Sequence, residues 1–171
     1  MMRVYIPATL AMLQQLVDVG SIQPLSGTAF AVTPTLRESY AEGDDEELAE
    51  VAIGEAALAS MRLLASESAP ADPSFQALPL RRAVLVADAD ATVRPDLDDA
   101  VVRISGRVAL SQVVAAYVDV ADAEPAVKAA IAVIDEADLG DEDAEFVVGD
   151  AQDHALAWYA NQELPFLLDL L

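Results

Sequence analysis

The chain has 171 residues, with thirty Asp and Glu set against nine Lys and Arg, for a formal net charge of −21. That length suits one domain with a sizeable core, while the charge argues against nucleic acid and anionic membranes as ligands, because both need clustered cations. The absence of Cys removes disulfides, thiolate metal sites and thiol catalysis.

The start, MMRVYIPATL, lacks the apolar stretch of a signal peptide, and no run of eighteen apolar residues follows anywhere. A cytoplasmic protein is expected. Arg3 to Ala8 alternates apolar with other residues and predicts a first strand. Thr9 is placed to cap a helix carrying Leu10, Leu13, Leu16 and Val17, with Gly20 as its stop. Ser21 to Gly27 reads as a loop and Thr28 to Thr33 as a short strand. Pro34 suits a first helical position, and Thr35 with Glu38 has capping-box spacing.

Gly43 to Glu47 is rich in carboxylates, which favour the positive end of a helix, and predicts a long helix to about Ala65. Ser66 to Leu80 holds several Pro and small residues and reads as a mobile loop. The apolar run Arg82 to Ala87 predicts a central strand. Ala100 to Ser105 predicts another strand, Leu110 to Val114 a short helical turn, and Ala115 to Val120 a further strand. Asp122 is expected to cap a helix with Pro125 in its first turn and Val127, Ala130, Ile131 and Ile134 along one stripe. Asp138 to Gly149 reads as an acidic loop. A last helix is expected from near Asp150 to near Pro165, followed by an apolar tail.

Four groups of residues invite a functional reading. In VLVADADATV an apolar run leads into Asp88-Ala89-Asp90-Ala91-Thr92. This is similar to the first motif of haloacid-dehalogenase-type phosphatases, and the resemblance implies Asp88 as nucleophile, Asp90 as general acid/base and Mg²⁺ as cofactor. Against it, Asp90 to Ala100 shows a turn rather than the long crossover that a parallel sheet needs. The second group is Asp138, Asp141, Glu142, Asp143 and Glu145, which offer oxygen ligands to a hard cation. Asp141, Asp143 and Glu145 are the metal candidates, although the run lacks the Gly and Glu of an EF-hand loop. The alternative is a solvated acidic segment.

The third is His154, the sole His, with Asp150 four residues before it and Trp158 four after. On one helix these would share a stripe, and a carboxylate there could orient a catalytic imidazole. The plainer reading is a His packed on an aromatic ring. The fourth is the tail: Phe166, Leu167, Leu170 and Leu171 either dock on the sheet or bind a partner. No nucleotide-binding glycine motif and no nucleophile elbow occurs.

The stretches MRVYIPATLAMLQQL, SGTAFAVTPTLRESYAEGDDEELAEVA and DLGDEDAEFVVGDAQDHALAWYANQELPFLL together resemble a family of uncharacterised actinobacterial proteins with a domain of unknown function. The resemblance spans nearly the whole chain. It implies a cytoplasmic single-domain protein and brings no functional residues with it.

The expected fold is α+β, or α/β: a two-layer single domain over 1–171, with a mixed sheet of about five strands and helices mainly on one face. A mobile loop is expected at 66–80 and a C-terminal helix plus apolar tail at 150–171. The expected function is that of a small acidic interaction or regulatory protein without catalytic activity or cofactor. Its partner would be a basic protein or a second copy, bound through the tail. The alternatives are a Mg²⁺-dependent phosphohydrolase using Asp88 and Asp90, and an acidic mimic of a nucleic-acid surface with its acids arrayed along one face.

Overall fold

A computed structural model describes residues 1–67 and 78–171. Among these residues the chain forms nine strands and six α-helices. In order they are β1 (Met2–Ala8), α1 (Leu10–Val19), β2 (Ser21–Ile22), β3 (Thr28–Phe30), α2 (Pro34–Ser39), α3 (Asp45–Glu67), β4 (Ala83–Ala89) and β5 (Ala91–Val93). Then come β6 (Val101–Ile104), β7 (Val108–Ala109), β8 (Val113–Asp119), α4 (Glu124–Asp138), α5 (Glu142–Gln152), β9 (Leu156–Ala160) and α6 (Leu164–Asp169). No helix among the described residues is long and apolar enough to cross a membrane.

The class is α+β, as the alternation of strand and helix signals suggested. The main sheet has seven strands in the order β5-β6-β3-β1-β4-β8-β9, wider than about five, and all of its pairings are antiparallel. β2 and β7 pair separately. Asp90 alone joins β4 to β5, yet β6, β3 and β1 lie between those strands in the sheet. In a flat sheet four strand spacings of about 4.8 Å would separate them by roughly 19 Å. Two peptide steps reach about 7 Å. The sheet therefore curls until its β5 edge returns to the end of β4.

The alternation along the strands sends side chains to two cores. On the side of Val4, Ile6, Ala83, Leu85 and Val118 lie Leu10, Leu13 and Leu16 of α1 and Leu164 and Leu167 of α6. On the side of Tyr5, Val84, Val86 and Ala115 lie Leu36 of α2 and Leu48, Ala52, Ala56 and Ala57 of α3. Met61 and Leu64 at the far end of α3 pack with Val127, Ala130 and Ile134 of α4 and with Val148 and Ala151 of α5. The longer helices thus share one side, and α1 and α6 occupy the other. In β8 the pairing slips between Ala115 and Val113, leaving Val114 as a bulge residue.

Local chemistry accounts for most boundaries. The Thr9 hydroxyl accepts from Met12 N–H at 3.3 Å, and Gly20 ends α1 in the left-handed region at φ 94°. For α2 the cap is Thr33, accepting from Leu36 N–H at 3.0 Å, and Thr35 lies inside the helix rather than capping it. A short 3₁₀ turn precedes α4, and the residue before that helix is Ala123, so Asp122 does not cap it. The segment expected as a loop at 21–27 contains β2 and a 3₁₀ turn. Most of the loop expected at 66–80 lies outside the described residues.

Two larger corrections fall near the C-terminus. Residues 138–149 are not an acidic loop: Asp141 accepts from Ala144 N–H at 2.9 Å and starts α5, with Glu142, Asp143 and Glu145 in the first turn. Carboxylates there stabilise the helix end, so acidity marked a cap rather than a loop. Nor does a helix run from 150 to 165. The chain leaves α5 after Gln152, forms β9, and only then turns into α6.

Candidate functional site

The C-terminal edge of the sheet, built from β9 and α6, exposes Trp158, Phe166 and Leu170. Its position is set by a buried guanidinium. Arg82 precedes β4, and its Nε and Nη2 donate to the carboxylate of Asp119, the last residue of β8, at 2.9 and 2.7 Å. The backbone N–H of Arg82 donates to the same carboxylate at 2.8 Å. Its Nη1 donates to Gln152 at the end of α5 at 3.0 Å, and its Nη2 also donates to the His154 carbonyl at 2.7 Å. Gln152 in turn donates to the Gly54 carbonyl of α3 at 3.0 Å. One cation thus joins β4, β8, α5 and the entry to β9. The arrangement was not anticipated from sequence, because Arg82 and Asp119 are 37 positions apart and each falls in a segment that reads simply as a strand.

Among the described residues β9 pairs only with β8, through Leu156 to Asp119 at one end and Ala160 to Ala115 at the other. Its exit is held by Asn161, whose side-chain amide donates to the carbonyls of Leu110 and Val113 at 2.9 and 2.6 Å. The N–H of Ala160 donates to its own Glu163 carboxylate at 2.9 Å, so it is directed away from β8. Backbone direction alternates along an antiparallel strand. The N–H and C=O groups of Leu156 and Trp158 therefore face outward as well. Trp158 lies opposite Tyr117 and is 56% exposed.

The tail is both docked and exposed. Leu164 and Leu167 enter the core beside α1, so Leu167 is removed from the expected partner surface. Phe166 and Leu170 are 70% and 85% exposed, and Leu171 is also exposed. This is the division a short amphipathic helix makes when residues three apart share its inner face.

The remaining candidates are dispersed. Asp88 pairs across the sheet with Arg3, which donates from Nε at 2.8 Å and from Nη2 at 3.3 Å. That hydrogen bond holds the Asp88 carboxyl below the usual carboxylate range. Asp90 is exposed near the N-terminal amine at 3.6 Å. The strand that holds Asp88 and leads into Asp90 is antiparallel to both its neighbours, unlike the parallel arrangement the phosphatase motif implies. β4 and β6 do not form a hairpin either, since β1 and β3 lie between them.

Asp138 is held by Arg62 through two bonds of 2.9 and 3.0 Å, which lower its pKa. Asp141 is a helix cap, and Asp143 and Glu145 are exposed in the first turn of α5. Among the described residues no group of three or more His, Asp or Glu side chains is placed to hold a metal ion. Asp150, His154 and Trp158 do not share a helix stripe: the first is in α5, the second follows it, and the third is in β9. Exposed acids occur in the first turns of α3 and α5 and in the 96–99 loop. A hollow between α2, α3 and that loop is lined by Glu55, Asp98 and Asp99 with Phe30, Leu36 and Tyr40. Burial, reinforced by the nearby Asp98 charge, raises the Glu55 pKa.

Comparison with known proteins adds a family and no activity. No curated protein and no solved structure matches the chain. A family model does match, over residues 2–168, so that curled sheet, α5 and the β9 edge all lie within the matched span: the chain belongs to a family of unknown function, DUF6912.

Proposed function

We propose that the protein is a small acidic interaction module of the cytoplasm that works without catalysis, and that its binding face is the C-terminal edge formed by β9 and α6. The carrying observation is the open strand. β9 is uncharged from Leu156 to Ala160, presents outward backbone groups and exposes Trp158. Proteins ordinarily blunt such edges with Lys, Pro, bulges or a covering element, because an unblunted edge recruits another strand. β9 carries none of the first two, and its neighbour α6 adds exposed Phe166 and Leu170. Aromatic residues at an accessible edge are typical anchors of protein interfaces. The acidic composition suits a cationic partner.

The test is capture of partners from source-cell lysate by tagged protein at low and high salt, comparing wild type with Trp158→Lys and Phe166→Ser. The reading expects a partner that wild type retains and both variants lose. Identical capture by all three proteins would refute the assigned face.

A further inference from the structure

We infer that β9 accepts an extended segment with Lys or Arg at its ends and an apolar centre, added as an eighth strand. The inference rests on the interaction reading above and names the partner's chemistry. Strand addition supplies affinity through main-chain hydrogen bonds and specificity through alternate side chains. The outward groups of Leu156 and Trp158 are the available ladder, and Trp158 is the side chain that a neighbouring strand would cover.

Charge decides between the two occupants. After Lys128 the chain has no Lys or Arg. Asp150 and Asp153 are exposed before β9, and Glu163 and Asp169 are exposed after it. A second copy paired antiparallel about Trp158 would set Asp153 of each chain against Glu163 of the other. Neither residue lies within β9, Asp153 following α5 and Glu163 closing the 3₁₀ turn after the strand, but like charges gathered at the two ends of such a pair repel. The acidic flanks therefore disfavour self-pairing, the role that Lys plays on other edges, and they attract a strand whose ends are cationic.

The probe is a blocked peptide, Lys-Lys-Val-Thr-Val-Thr-Val-Lys-Lys. Trp158 is the sole Trp, so its emission reports burial at this edge directly. The expected result is a saturable blue shift with the cationic peptide. The same peptide N-methylated on the alternate amides that face β9 keeps its charge but cannot form the ladder, and should bind about tenfold more weakly or worse. A Glu-flanked peptide should give no shift, and Trp158→Lys should lose the parent peptide by calorimetry while keeping its fold. Equal binding of parent and N-methylated peptides would overturn strand addition in favour of diffuse charge attraction. Equal binding of the Glu-flanked peptide would overturn the cationic preference. A free protein that sediments as a dimer, dissociated by Trp158→Lys, would show that a second copy holds the edge. If lysate capture depends on Trp158 but no peptide binds, the interaction reading survives and this inference fails.

Discussion

Asp119→Ala should be among the most damaging single substitutions in the molecule. The side chains of Arg82 and Asp119 are 2% and 0% exposed. The carboxylate accepts three hydrogen bonds from Arg82: one from the backbone N–H and two from the guanidinium. Removing it leaves a buried cation with, among the described residues, only Gln152 and the His154 carbonyl as acceptors. Breaking a buried pair in this way costs about 3–5 kcal/mol. For a chain of this size that corresponds to a fall in Tm of roughly 6–20 °C. Replacing both members, Arg82→Met with Asp119→Leu, removes both charges and should recover a substantial part of the loss. Asp138→Asn breaks the exposed Arg62 pair and should cost under about 1 kcal/mol. Urea unfolding with a constant m-value measures all three. An Asp119→Ala cost under about 1 kcal/mol would refute the node, as would a double variant as unstable as the sum of its two single variants.

The tail separates by burial. Leu167→Ala should cost about 2–5 kcal/mol, whereas Phe166→Ser and Leu170→Ser should each stay within about 0.5 kcal/mol; thermal melts that rank them otherwise would contradict the docking of α6. Gly27 has φ 70°, and an added Cβ would lie 2.6 Å from the Ile104 carbonyl oxygen, while Gly20 at φ 94° opens onto free space. Gly27→Ala should therefore cost more than Gly20→Ala, which carries only the backbone penalty of about 1–2 kcal/mol; the reverse order in urea melts would rule out the close approach. The Glu55 carboxyl titrates higher in the folded chain than in the unfolded one, through burial and then Asp98. Its contribution to stability is complete below the unfolded carboxylate range and declines as pH rises toward the folded pKa. Glu55→Gln should consequently stabilise the protein at neutral pH and leave it unchanged near pH 3, and a variant less stable than wild type at neutral pH would oppose that sign.

The front of the chain was legible in sequence because its signals are local. Thr9 and Gly20 bracket a helix by side-chain capping and a positive φ, and the run Arg82 to Ala87 reads as a buried strand without reference to anything distant. The end of the chain was misread for a related reason. Residues 138–163 carry helical spacing at Asp150, His154 and Trp158, yet the path is decided by tertiary partners: Arg82 binds the His154 carbonyl, β8 pairs along Leu156–Ala160, and Asn161 is fixed by Leu110 and Val113. Periodicity holds no record of such contacts. The same limit hid the curl of the sheet, which follows only once β6, β3 and β1 are known to lie between β4 and β5. Of the partner residues expected in the tail, Phe166, Leu170 and Leu171 are exposed and Leu167 is not; Trp158 joins them because a strand, unlike a helix, leaves it at an edge.

Residue-resolved amide exchange distinguishes an open β9 edge that takes a cationic strand from one already covered. In the free protein the N–H groups of Ala157 and Tyr159, directed at β8, should exchange slowly, and those of Leu156 and Trp158 should exchange fast. Adding the Lys-flanked peptide should protect Leu156 and Trp158 and leave Ala157 and Tyr159 as they were. Four amides protected alike before any peptide is added, or no new protection at saturating peptide, would rule out an open edge that adds a strand.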